Sequence, residues 1–230
     1  MRARHVWAAL LCAAFGGAQA MAQTRPPVEA FAQLPSLRDP CISPDGKHLA
    51  AIQTYRGRAV VAIYDLDATS GVEPAVVEPN DAVIDSIRWA KNDRLAITLK
   101  KATQVAGDME VRTWVREETV SEKGKDAVVL NANQGDIGNN VSGPGLIDVD
   151  LDDPDTAFMP LAVYNLAGED HVGLEEQPDQ VFRLDLLSVN VRTGRSHSFM
   201  TGTVQTKDWF MDGHGHVVAR IDRSIHWRTI

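Results

Sequence analysis

The chain has 230 residues, 44% of them hydrophobic and 23% charged, a composition that excludes collagen, coiled coil and wholesale disorder and leaves room for one or two domains. A formal charge of −8 and a pI near 5.3 exclude a general affinity for nucleic acid, because phosphate binding requires a basic surface.

At the N-terminus, Arg2 and Arg4 precede an apolar run from Val6 to Phe15, followed by the small-residue pattern "AQAMAQ". This order predicts a cleavable secretory signal peptide over residues 1–22, with cleavage after Ala20 or Ala22 and export to the periplasm or medium. An uncleaved anchor is the alternative, but the run falls well short of the about 20 apolar residues a spanning helix needs. Cys12 would leave with the peptide, so Cys41 is the single cysteine of the mature chain and no internal disulfide can form. With no ligand-spaced companions, Cys41 reads as a small buried residue at a strand start rather than as a nucleophile.

Residues 23–37, rich in proline, read as a lead-in segment, and residues 38–230 as one β domain. From Arg38 onward a turn of Asp, Asn, Pro and Gly repeatedly feeds a short apolar strand. The four occurrences are "SPDGKHLAAI" at 43–52, "AKNDRLAITL" at 90–99, "DPDTAFMPLAVY" at 153–164 and "DGHGHVVARI" at 212–221. Between Asp45, Asp93, Asp155 and Asp212 the steps are 48, 62 and 57 residues. A second theme, an alternating strand closed by Ser or Thr and Gly, occupies 59–71 and 186–195. The stretch 109–120 is a third candidate, with Val111, Thr113, Val115 and Glu117 on one face.

Turn residues interrupt almost every apolar run, which argues against long helices. Short strands in units of about 40 to 60 residues predict an all-β fold, a partial β-propeller of about four blades. A plain sandwich would lack the long period. Two polar stretches, 121–145 and 165–180, interrupt the beat and read as extended rim loops.

The signal peptide, the lead-in "PVEAFAQLPSLRDPCISPDGKHLAAI", then "IRWAKNDRLAITL" and "LLSVNVRTGR" together resemble the N-terminal propeller of secreted S9 (prolyl oligopeptidase family) serine peptidases. The likeness is greatest to the acylaminoacyl-peptidase and dipeptidyl-aminopeptidase-like branch, and it runs from about residue 28 to the end. The resemblance implies a propeller seated over a C-terminal α/β-hydrolase domain, admitting short peptides and excluding folded proteins. No G-x-S-x-G elbow occurs in the 230 residues. No catalytic residue, cofactor site or metal site is therefore assigned, the isolated chain is expected to be inactive, and a truncated or partial gene product is expected. A peptide substrate is expected only for the complete enzyme. The alternative is an exported TolB-like propeller that binds a partner without enzymatic activity; a small hydrolase with unusual catalytic residues is the third reading.

Five local features invite other chemistry. The acidic run "DVDLDDPD" at 148–155 suggests calcium, but an EF-hand opening at Asp148 needs Gly and Glu where Asp153 and Met159 stand, so a turn is the expectation. His214 and His216 with Asp212 suggest a metal, yet they fill the turn slot of the fourth repeat. Glu175 and Glu176 suggest capture of a peptide amino terminus, without the aromatic context that the family resemblance implies. Of Trp89, Trp114, Trp209 and Trp227, most are expected to fill the spaces between blades. Asn140, Val141 and Ser142 form a glycosylation sequon, meaningful only in a eukaryotic secretory route.

Overall fold

A computed structural model describes residues 36–104, 111–134, 145–164 and 182–223. The chain divides into two compact units, Met1–Leu34 and Pro35–Ile230. The first, with the expected signal peptide, lies outside the described residues, and every described strand belongs to the second.

Those strands form successive antiparallel meanders, and the two-residue connections between β2 and β3 and between β5 and β6 leave room only for a hairpin. The first sheet is β1 (Leu37–Ile42), β2 (His48–Tyr55), β3 (Arg58–Asp65) and β4 (Ala75–Val77), in that spatial order. The second is β5 (Val83–Lys91), β6 (Arg94–Gln104), β7 (Val111–Ser121) and β8 (Val128–Val129). The third is β9 (Asp148–Val149), β10 (Thr156–Tyr164), β11 (Phe182–Asn190) and β12 (Ser196–Met200), and β13 (Thr206–Met211) with β14 (Val217–Asp222) forms a two-stranded fourth. A 3-10 turn at Ala132–Gln134 is the single helical element among the described residues. No helix among them is long and apolar enough to cross a membrane. The architecture is all-β and propeller-like.

The sequence repeat maps onto this pattern. Asp45, Asp93, Asp155 and Asp212 each lie between the first and second strands of their sheet, and the second theme forms the third strands β3, β7 and β11. In an antiparallel meander the first and third turns lie at one end of the sheet, so all four aspartate turns share that end.

The core lies between sheets, as alternation on both faces requires. Ala50, Ile52, Val61 and Ile63 of the first sheet pack on Ile84, Ile87, Trp89, Leu95, Ile97, Leu99 and Val120 of the second. Ala90 and Ala96 of the second sheet meet Ala157, Met159, Leu161, Leu187 and Val189 of the third, joined by Leu130, Leu146 and Val191. Phe158 and Leu186 of the third sheet pack on Trp209 of the fourth. Adjacent residues of β10, such as Phe158 and Met159, thus serve different layers.

Pro160 in β10 pairs with Leu186 and lacks an N–H. Phe158, two residues earlier, offers its carbonyl to the Ile147 N–H on the β9 side. Backbone groups two apart face the same way, and β9 pairs with β10 only at Ala157 and Phe158. Pro160 therefore points its missing donor past the end of β9, where no strand needs it.

Candidate binding surface

The shared turn end is built by short-range hydrogen bonds. In the first turn Asp45 Oδ1 accepts from Ser43 Oγ at 2.6 Å and from the Lys47 N–H at 3.2 Å. Donation by the Ser43 hydroxyl, then by Lys47, holds the Asp45 carboxyl below its ordinary range. Gly46 supplies the positive φ of 73°. The "PDG" residues are turn chemistry.

The second and third sheets are clipped together at this end. Arg192, in the turn after β11, donates Nε to Asp155 Oδ1 at 2.6 Å and Nη2 to Asp93 Oδ1 at 3.0 Å. Two aspartates of the repeat thus share one guanidinium, whose fork geometry suits the task. Lys91 Nζ donates to the carbonyls of Asp150 and of Asp153, the latter at 2.6 Å.

The acidic run 148–155 closes the turn into β10. Asp150 Oδ1 accepts from the Asp152 and Asp153 N–H groups, and Asp153 Oδ1 from those of Asp155 and Thr156. Asp148 Oδ2 accepts from the Gly213 N–H at 2.9 Å. Across the joint to the fourth sheet, His214 Nδ1 lies 2.9 Å from Asp152 Oδ2, while His216 Nδ1 lies 2.9 Å from Asp212 Oδ2. The bond to Asp152 raises the His214 pKa. N–H donation from His214 and then His216 holds Asp212 down to about 2. The two histidines thus engage different carboxylates, and no group of three or more His, Cys, Asp or Glu able to hold a metal occurs among the described residues.

Two clefts flank this framework. One, of about 580 Å³, opens at the turn end between the first and second sheets; its charged lining includes Lys47, Glu73, Asp93, Glu122, Lys123 and Lys125. In its wall the His48 ring lies against Trp89, centroids 5.8 Å apart. The other, of about 550 Å³, is lined by Leu99, Lys101, Trp114, Arg116 and Val129 among others. Its cations are paired, Lys101 with Asp81 at 2.8 Å and Arg116 with Glu118. Both volumes fall in the roughly 300–1,000 Å³ range of small-ligand sites.

Trp89 and Trp209 are buried between sheets as expected, each in a first strand. Their Nε1 groups donate to Cys41 O at 3.1 Å and to Leu184 O at 3.0 Å. Trp114 departs from that expectation: it is 37% exposed, because it stands near the end of β7 beyond the reach of the first sheet. Cys41 is half-buried rather than buried. Burial, then the Asp39 charge, pushes its thiol up, away from the reactive thiolate. The stretch 121–145 is also corrected. It contains the paired strand β8 and the 3-10 turn, whose Asn133 Nδ2 donates to Ser196 O at 2.7 Å. A two-residue strand shows no alternation, so its pattern could not reveal it. Glu175, Glu176, Trp227, the 140–142 sequon and the 165–180 stretch lie outside the described residues.

The buried charged residues Arg94, Glu117 and Asp185 were not singled out from the sequence as buried. Glu117 of β7, 2% exposed, accepts from Thr98 Oγ1 at 2.9 Å on Oε2.

The fold and this framework define a class, propeller-like arrays of antiparallel meanders, each with an aspartate turn between its first two strands. Among solved structures the chain is similar to an acylaminoacyl peptidase from Pyrococcus horikoshii in an orthorhombic crystal form, with 16% sequence identity and a TM-score of 0.43. The match covers 73% of this chain and 26% of that one, so the chain spans about a quarter of that protein's length. No protein-family model matches the chain, and no curated protein matches it.

Proposed function

We propose that this chain is the non-catalytic, substrate-gating propeller portion of an exported S9-like serine peptidase that cleaves short peptides when complete. The observation that carries the reading is the order of elements. An aspartate turn opens each of four consecutive sheets, in the succession of motifs through which the sequence resembles the S9 propellers. Gating needs no catalytic residue from this portion. It needs walls rigid enough to exclude folded protein, and sheets packed face to face on apolar layers supply them. A cleft of about 580 Å³ with both signs of charge in its lining accommodates a peptide of a few residues, whose termini carry both charges.

The test is hydrolysis of N-acylated and free-amino chromogenic dipeptides by the isolated 230-residue chain, with a fluorophosphonate probe for an activated serine. Turnover indistinguishable from buffer, and no probe labelling, is expected. Turnover or labelling abolished by replacing one serine would overturn the assignment.

A further inference from the structure

The face of the second sheet toward the third is unusually polar. Ser86 of β5, Thr98 of β6 and Glu117 of β7 stand side by side across the strands, in registers that pair Ser86 with Thr98 and Thr98 with Glu117. Ser86 Oγ donates to Thr98 Oγ1 at 3.1 Å and Thr98 Oγ1 to Glu117 Oε2 at 2.9 Å. The ladder ends on the backbone of Leu146, whose N–H donates to the Glu117 carboxyl. Leu146 belongs to the strap 145–147 that leads into β9, and its carbonyl is held in turn by Arg88 Nη1 of β5.

The strap acts as a lid on the carboxyl. A Cβ at Gly145 would stand 2.5 Å from Glu117 Oε2, and Gly145 has a φ of 76°. Only glycine lets the backbone lie this close in this conformation. Among the described residues, Gly145 and Leu146 cover the carboxyl of Glu117, which is 2% exposed.

We propose that Glu117 is a proton-operated latch on the joint between the second and third sheets: protonated, it keeps the strap 145–147 seated on β7, and ionised, it releases the strap to admit water. The charged groups that face it among the described residues are Arg88 and Asp85, both of β5. Asp85 is held by Lys100 of β6 at 2.7 Å and disfavours ionisation; Arg88 favours it but is engaged with Leu146 O. Otherwise β6 presents the Thr98 hydroxyl and the strap the Leu146 N–H, both of which donate to the carboxyl and favour its ionised form more than Arg88 does. Burial dominates this balance and pushes the carboxyl up from 4.5 to about 7. Ionisation therefore falls in the physiological range, and relief comes from hydration.

The latch is tested by NMR on the carbon-13- and nitrogen-15-labelled chain. The Glu117 carboxyl is expected to titrate with a midpoint near neutrality. Protection of the Leu146 amide, corrected for intrinsic exchange, should fall about tenfold between pH 5.5 and 8 while that of Ala96 in β6 holds. In Glu117→Gln, Leu146 protection should not change between the two pH values. A carboxyl midpoint in the ordinary range, constant Leu146 protection in the wild-type chain, or an equal fall in Glu117→Gln would each overturn the latch. If Glu117→Gln does not fold, the wild-type midpoint and Leu146 protection decide alone.

Discussion

Gly194 shows how tightly single positions constrain this fold. It follows β11 with a φ of 70°, and a Cβ there would stand 2.0 Å from the Val129 carbonyl oxygen of the neighbouring sheet. Neither the conformation nor the space tolerates a side chain. Gly194→Ala should cost about 2 kcal/mol or more in urea-denaturation stability; a loss within error of zero would mean that the second and third sheets are not in contact there. The buried tryptophans allow a finer comparison. Trp89→Phe keeps most of the apolar surface but removes the bond to Cys41 O, so about 1 kcal/mol should be lost. Truncation of Trp209, 3% exposed against Phe158 and Leu186, to alanine should cost about 3–5 kcal/mol. Equal costs at the two sites would contradict the packing described.

At the scale of elements, joints between sheets combine an apolar layer with a polar clip at the turn end. The Arg192 clip joins Asp93 and Asp155 with all three side chains partly exposed, so solvent screens it. A double-mutant cycle between Arg192→Met and Asp93→Asn should give a coupling of about 0.5–1 kcal/mol that declines as salt is raised. A larger coupling, independent of salt, would show the clip to be better shielded than its exposure implies. The repeat was legible in the sequence because Asp and Gly act through neighbouring backbone, as Asp45 does with Lys47, and such chemistry leaves a local mark. β4, β8 and β9, two or three residues each, were not legible, being too short for alternation. The burial of Glu117 was half legible. Alternation placed it with Thr113 and Val115 on one face, but only the strap from beyond β8 decides that this face is covered, and that contact is remote in sequence.

At the scale of the whole molecule, groups shifted in opposite directions set the two pH limits: Glu117 and the exposed His214 on the alkaline side, and Asp212, with Asp45 and Asp153, on the acid side. Glu117 titrates near 4.5 when unfolded and at about 7 when folded, so between these values the folded state binds more protons. Its contribution to stability is fully present below about 4.5 and is lost as pH rises through 7. At about 1.4 kcal/mol per pH unit over about 2.5 units the loss is at most about 3.5 kcal/mol. Asp212, lowered from 3.8 to about 2, contributes stability present above 3.8 and lost as pH falls toward 2. Thermal unfolding should therefore be most resisted at mildly acidic pH. Glu117→Gln should flatten the fall between pH 5 and 8 and leave the acid limb intact; an unchanged fall would place its origin elsewhere.

The proposed gating role requires this chain to be one part of a larger enzyme, and the reading frame beyond the codon for Ile230 tests that most directly. Sequencing the coding DNA downstream should reveal a frame that stays open for several hundred codons and reaches a G-x-S-x-G elbow between a strand and a helix. A stop codon immediately after Ile230 would contradict the account.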